Sequence, residues 1–395
     1  MTPGARIAAA IAVLDEVLAG APAERVLTNW ARNNRYAGSG DRAAIRDHVY
    51  DALRCRLSFA WLGGSETGRG LMIGAARAAG MDAGTLFSGE GYAPAPLTNA
   101  ETEERVLDAA PEAVLLDTPE WLLALTRESL GDKAEPVLAT MRRRAPVFLR
   151  VNAALTNREE AQASLARDGI ETVAHDLSPW ALEVTKNPRR VKASRAYREG
   201  QVELQDLSSQ AACAALGVVP GKRVLDFCAG GGGKALAMAA LGAEVVAHDA
   251  EPRRMRDLPV RAERAGARIG LAETVELAEM GPFDLVLCDA PCSGSGTWRR
   301  TPEAKWRLTA DDLAALVALQ ADILEQALPL VAPNGRLAYT TCSLLESENG
   351  RQVAALQRAH PEVILVSEQS FTPLSEGDGF YCAILEVFRN PAAAV

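Results

Sequence analysis

From Gly221 onward the sequence alternates short apolar runs with stretches of helical composition, and this alternation constrains the fold more than any other feature of the chain. Val224 to Phe227, Val245 to Asp249, Arg268 to Leu271, Phe283 to Cys288 and Leu337 to Thr341 read as strands. Between them an Ala-rich segment ending at Leu241, Pro252 to Ala265 and Ala310 to Val331 read as helices. Uninterrupted apolar runs suit strands covered on both faces, because neither face meets water. Strands and helices alternating over short connections demand a parallel sheet with crossovers on both sides, an α/β doubly wound fold. Val363 to Val366 and Cys382 to Val387 add further strands, and only the Ala392-Ala393-Ala394 tail reads as low-complexity.

The N-terminal third has a different period. Ile7, Ile11, Leu14 and Leu18 recur at helical spacing, Pro22 opens a segment carrying Val26, Leu27 and Trp30, and Asp41 is placed as the N-cap of a third helix with Ile45, Val49, Leu53 and Leu57 on one face. Further helices are expected from Pro119 and from Glu135. After residue 145 the period shortens: Val147 to Val151, Glu171 to Val173 and Ala181 to Val184 read as strands around a capped helix, Thr156 to Arg167. We therefore expect a helical region over 1–140, a small α/β subdomain over 141–205 and the main sheet over 206–390.

A formal net charge of −9 argues against nucleic acid as a partner, but the distribution of charge matters more than its sum. Lys186 to Arg198 holds six basic residues and no acidic one. Arg142-Arg143-Arg144 is a second cluster, and Arg299, Arg300, Lys305 and Arg307 are a third. Three such patches in an acidic chain favour a polyanionic substrate. No apolar run reaches the roughly 18 residues needed to span a membrane, and no basic-then-apolar leader opens the chain, so a cytoplasmic protein is expected. The seven cysteines include no Cys-x-x-Cys pair and there are four histidines, so no metal site is expected and the thiols are free. Cys55, Cys213 and Cys382 read as small buried hydrophobes.

Chemistry concentrates where strands end. Cys228-Ala229-Gly230-Gly231-Gly232-Gly233-Lys234 follows the first main strand, and Asp249 ends the second. A glycine run lets backbone approach a ligand, and an acid at the second strand end can accept from ribose hydroxyls, so a nucleoside-containing cofactor is indicated, either a dinucleotide or S-adenosylmethionine. Gly233-Lys234 is followed by Ala235, which excludes a phosphate-binding P-loop. Asp289-Ala290-Pro291-Cys292 closes the fourth strand, and Thr340-Thr341-Cys342-Ser343 closes the fifth. If these strands are neighbours, two thiols and a carboxylate converge over one sheet edge.

These stretches, with Gln205 to Gln210, Leu149 to Asn152, Arg299-Arg300-x-Pro302, Lys305-Trp306 and Asp378-Gly379-Phe380, resemble the Sun (Nol/Nop/Sun) family of RNA cytosine-5 methyltransferases over about 145–387. Asp41 to Arg54 resembles the NusB-like helical domain of its bacterial ribosomal branch. The resemblance implies a Rossmann-like class I methyltransferase sheet, preceded by a small α/β RNA-binding subdomain and an N-terminal helical NusB-like domain. It implies methyl transfer from S-adenosylmethionine to carbon 5 of a cytosine in RNA, expected to be 16S rRNA, by a monomer. Cys342 is then the nucleophile, Cys292 the thiol that assists release, and Asp289 the carboxyl facing the cytosine edge. Cys228, Ala229, Gly230, Gly231, Gly232, Gly233, Lys234, Asp249 and Asp289 line the cofactor. Arg299 and Arg300 are expected to meet phosphates. The chain departs from the family's Cys-Ala-Ala-Pro-Gly-Gly-Lys-Thr at Gly230, Gly231 and Ala235, and lacks an acid directly after the third strand, where Ala272 precedes Glu273. Those departures motivate one rival reading, a non-catalytic RNA-binding assembly factor; the resemblance of Pro291-Cys292 to the attacking Pro-Cys of DNA cytosine-5 methyltransferases motivates a second, a DNA cytosine-5 methyltransferase.

Overall fold

A computed structural model describes residues 1–389, and the Ala392-Ala393-Ala394 tail lies outside the described residues. The chain forms two compact units. One comprises Met1–Arg144 together with Trp298–Arg307 from much later in the chain; the other comprises Ala145–Thr297 and the chain from Leu308.

The first unit is helical. Its first helix, Pro3–Leu18, is capped by the Thr2 side chain, which accepts from the Ala5 amide. The helix buries Ile7, Ala10, Val13, Leu14 and Val17, so the apolar face is displaced from the predicted stripe and leaves Ile11 and Leu18 at its margin. Helix Ser39–Arg54 is capped by Gly38, and Asp41 lies inside its first turn instead of at the cap. There the Asp41 carboxylate accepts from Arg6 at 2.8 Å and from the N-terminal ammonium at 3.2 Å, tying two helices together. Helices Arg56–Gly63 and Gly68–Ala78 approach so closely that a Cβ on Gly74 would sit 1.9 Å from the Phe59 carbonyl oxygen.

The segment Trp298–Arg307 is bonded into these helices. Arg54 Nε donates to the Arg299 carbonyl at 2.6 Å, Trp306 Nε1 to the Leu53 carbonyl at 2.7 Å, and the Ala23 amide to Glu303 at 2.7 Å. Lys305 Nζ donates to the Asp117 carbonyl, and burial lowers its pKa to about 8. Arg299 is 2 % exposed and Lys305 4 % exposed. Arg142, from the second predicted cluster, pairs at 2.8 Å with the fully buried Asp117. The burial of Arg299 and Lys305 in this helical unit corrects the expectation that they face phosphates, while Arg142 stays half-buried on its ion pair.

The second unit carries two sheets. The smaller has strands β1 (Phe148–Val151), β2 (Glu171–Ala174), β3 (Ala181–Lys186) and β4 (Val202–Leu204) in the order β2-β3-β1-β4, all antiparallel. Leu149, Val151, Leu165, Leu182 and Val202 form its core. The segment over 186–198 lies on its surface with Lys186, Arg189, Arg190, Lys192, Arg195 and Arg198 exposed.

The larger sheet contains β5 (Arg223–Asp226), β6 (Glu244–Ala247), β7 (Ile269–Leu271), β8 (Phe283–Asp289), β9 (Val331–Thr341), β10 (Val363–Phe371) and β11 (Phe380–Val387). Their order is β10-β11-β9-β8-β5-β6-β7, with β9 through β7 parallel and β11 antiparallel to both of its neighbours. Side chains alternate between two cores: Leu225, Val286, Cys288, Leu337 and Tyr339 on one face, Val224, Leu285, Leu287 and Ala338 on the other. Each fully buried Leu, Val or Phe contributes roughly 1.5–3 kcal/mol, which is why the strands read as unbroken apolar runs. Helix Ala310–Ala327 covers the first face with Ile323, Leu324 and Ala327. With the following turn it spans 21 residues at a mean hydropathy of 1.4, long and apolar enough by composition to cross a membrane. A third of that window is buried, through residues such as Leu313, Ile323, Leu324 and Ala327. Chain order reverses at β5, whose neighbours are β8 and β6, and the ends of those strands form the crevice where such sheets bind ligands.

Candidate active site

Register brings the predicted residues together. Asp226 on β5 pairs with Leu287 on β8, and Asp289 on β8 pairs with Thr340 on β9, so one end of the sheet carries both acids and the two thiol loops. Asp289 Oδ2 accepts from Lys234 Nζ at 2.6 Å, and its Oδ1 accepts from Thr340 Oγ1 at 3.0 Å. Burial by itself would discharge Lys234, but the charge of Asp289 and the neighbouring Cys213 and Asp226 outweigh it and hold the ammonium charged.

Cys292 and Cys342 leave adjacent strands and meet with their Sγ atoms 3.3 Å apart. The Cys292 loop is tied to the next strand end by Gly296, whose amide donates to the Cys342 carbonyl at 2.9 Å and whose carbonyl accepts from Gly379 at 2.9 Å. A Cβ on Gly296 would lie 2.0 Å from the Gly379 carbonyl oxygen, so only glycine permits this closure. The hydrogen bond with Cys342, and then burial, push the Cys292 thiol well above its ordinary range. A thiol raised in this way holds its proton, and across this contact either sulfur is placed to donate.

The glycine loop turns with Gly230 at φ +50° and Gly232 at φ +78°, both left-handed. A Cβ on Gly232 would reach 2.2 Å from a Leu258 methyl. Asp249 Oδ2 accepts from the Gly230 amide at 3.0 Å and stands 3.6 Å from Arg254 Nη1, while Oδ1 accepts from the Glu251 amide at 2.9 Å, which fixes the loop and leaves Oδ1 a further lone pair. Ala229 donates to the His248 carbonyl at 2.8 Å. Gly233 begins helix Gly233–Ala240, which carries Lys234 in its first turn. Burial raises the Cys228 thiol, with Asp226 adding to the effect. Among the described residues, no three His, Cys, Asp or Glu side chains form a group that could hold a metal ion.

Two side chains escaped the sequence reading. Asp226 is 1 % exposed, and neither carboxyl oxygen has a hydrogen-bond partner. Burial, and next the charge of Asp289, push its pKa up to about 7. A carboxyl raised in the folded state holds its proton longer than in the unfolded chain, so it costs stability increasingly as pH rises from about 4 to about 7. Asp226→Asn is expected to remove a few kcal/mol of this pH-dependent loss; urea unfolding at pH 5 and pH 8 checks it, and an unchanged difference between the two pH values counts against a buried acid here. The other missed residue is Glu348, which is fully buried beneath both thiol loops. Its acid type was visible in the sequence, but nothing there placed it under residues of another strand end.

An open, mostly parallel sheet with a glycine loop and an acid at its switch point defines a Rossmann-like domain of the class I methyltransferase type, here with a thiol pair on the adjoining strand ends. The family described as 16S rRNA methyltransferase RsmB/F matches residues 213–386, and its ferredoxin-like domain matches residues 118–191. The chain belongs to this RsmB/F family. It is 35 % identical over 312 residues to a ribosomal RNA small subunit methyltransferase B of Vibrio cholerae serotype O1, covering 75 % of this chain and 72 % of that one. The relative of the same name from Photorhabdus laumondii is 32 % identical over 282 residues, and the match spans 68 % of this chain but 66 % of that relative's length. The crystal structure of PH0851 superposes with a TM-score of 0.77 at 26 % identity over 98 % of this chain and 99 % of that one. A structure of NSun6 from Pyrococcus horikoshii shares the fold, with a TM-score of 0.62 at 18 % identity over 70 % of this chain and all of that one.

Proposed function

We propose that this protein methylates carbon 5 of a cytosine in 16S rRNA, acting as a cytoplasmic monomer with S-adenosylmethionine as methyl donor. The observation that carries the reading is the thiol pair, 3.3 Å apart, on the strand ends next to the Asp289–Lys234 ion pair. Carbon 5 of cytosine is a poor nucleophile until a sulfur adds to carbon 6 and turns the ring into an enamine. Cys342 is that sulfur, and Asp289 meets the N3/N4 edge and favours the electron shift. After carbon 5 has been methylated and has lost its proton, Cys342 departs with the help of Cys292.

The residues present fit the donor. Its role when bound is to supply an activated methyl group as a sulfonium. Gly230 to Gly233 bring backbone close to it, the spare lone pair of Asp249 Oδ1 suits a ribose hydroxyl, and the buried carboxyl of Asp226 suits a cation. Lys234 holds Asp289 in place beside it. The exposed basic segment over 186–198 suits phosphates, which position RNA without specifying its sequence.

The test is release of tritium from carbon-5-labelled cytosine in 16S rRNA on addition of protein and donor. Stoichiometric release, together with saturable donor binding in a calorimeter, is the expected result. Donor binding without release from any cellular RNA or DNA sinks the reading; release from DNA alone selects the DNA enzyme; and no donor binding with RNA present selects the assembly factor.

A further inference from the structure

Glu348 lies outside the chemistry just described, yet it makes more hydrogen bonds than any group in it. Its Oε1 accepts from the Ser293 amide at 2.8 Å and from Gln320 Nε2 at 3.0 Å. Its Oε2 accepts from Ser293 Oγ at 2.5 Å and from Ser343 Oγ at 2.5 Å. Ser293 follows Cys292 and Ser343 follows Cys342, so one carboxylate grips the residue after each thiol. Further bonds stiffen the grip: Ser295 and Ser343 hydroxyls lie 2.9 Å apart, and Asn349 Nδ2 donates to the Ser343 carbonyl at 3.0 Å. Four donors thus converge on one fully buried acid and fix its position against both loops.

A fixed negative charge close to two thiols disfavours a second one on the sulfur nearest to it. The titratable groups facing Cys292 are Cys342, Glu348 and Tyr339, and the charges of Cys342 and Glu348 both act to keep Cys292 protonated. Tyr339 is itself held neutral by burial. We propose that Glu348 is a positioning residue of the active site: it fixes the two sulfurs at contact distance and keeps the proton on Cys292, so that Cys292 donates a hydrogen bond to the Cys342 sulfur both as it attacks and as it leaves. At release the bond between Cys342 Sγ and carbon 6 breaks with its electron pair going to sulfur. The proton on carbon 5 passes to water, the double bond between carbons 5 and 6 returns, and the S–H of Cys292 stabilises the departing thiolate. The inference rests on the proposed methyl transfer to cytosine and adds the buried carboxyl that holds the two thiol loops against each other.

Glu348→Gln tests it, because Gln can accept from Ser293 and Gln320 through its carbonyl and donate to both serine hydroxyls, keeping the shape while removing the charge. Alkylation of each cysteine by iodoacetamide, mapped by mass spectrometry as a function of pH without RNA, reads the thiols directly. In the unaltered protein Cys342 is expected to react at lower pH than Cys292; the reverse order overturns the proposal without any variant. In Glu348→Gln the Cys292 profile should move down by about one pH unit, while Glu348→Asp, which keeps the charge, leaves it in place. Profiles that move in both variants or in neither assign Glu348 a purely structural role. With RNA and donor, adduct surviving denaturation should accumulate from a correspondingly lower pH in Glu348→Gln. Complete absence of adduct from every form, with the alkylation shifts intact, overturns the methyl-transfer reading and spares the thiol assignment.

Discussion

Cys342→Ala is expected to abolish methyl transfer, by roughly 10⁴-fold or more, because an essential nucleophile cannot be replaced by the rest of the site. It should also eliminate any covalent RNA adduct. Cys292→Ala is expected to stop turnover differently: the Cys342 sulfur still adds to carbon 6, but it lacks the neighbouring S–H at 3.3 Å when it must leave. A protein–RNA band that survives denaturation should therefore appear with Cys292→Ala and be absent with Cys342→Ala. The opposite pattern makes Cys292 the attacking sulfur, as in the DNA enzymes. Both side chains are partly exposed and small, so neither change should lower the thermal midpoint much, and circular dichroism separates loss of chemistry from loss of fold.

The second large effect is expected from Asp289→Ala. It removes the carboxylate that accepts from Lys234 at 2.6 Å and from Thr340 at 3.0 Å, leaving an ammonium stranded among Cys213 and Asp226. Breaking a fully buried ion pair costs about 3–5 kcal/mol. Asp289 retains 32 % exposure, so solvent screens part of that, and about 2 kcal/mol is the better expectation. Lys234→Met should cost less, because it takes the charge away and leaves Asp289 with Thr340 and water. Both variants should lose donor affinity and methyl transfer together. Urea unfolding, read beside calorimetric donor titration, checks the ordering; if Lys234→Met proves the more destabilising, the ion pair is not what stabilises this corner.

The strands that carry the site were legible because both of their faces are buried, which writes an unbroken apolar run into the sequence from Phe283 to Cys288 and from Leu337 to Thr341. Strand β4 was not legible. Val202-Glu203-Leu204 is too short to show a period, and Glu203 is tolerated there only because Arg264 and Arg261 reach it from another helix. Strand β10 runs on to Phe371 through Ser367, Glu368 and Gln369, polar residues permitted by its place at the sheet edge. The basic clusters show the opposite failure. Charge type is plain in a sequence, but whether Arg142, Arg299 and Lys305 face water depends on partners such as Asp117 that sit far away along the chain. The same limit hid Asp226 and Glu348, whose importance comes from burial that only the folded chain creates.

The path of Trp298–Arg307 also bears on how the protein is made. The helical unit draws its interior bonds to Arg299, Lys305 and Trp306 from a stretch translated only after β5 to β8. During synthesis, residues 1–144 emerge well before residues 298–307, with which they form one compact unit. The usual sequence, in which an N-terminal domain finishes folding while the next is still being translated, is closed to this chain. A nascent chain stalled before Trp298 should leave the Leu53 and Asp117 carbonyls without the donors that Trp306 and Lys305 bring to them.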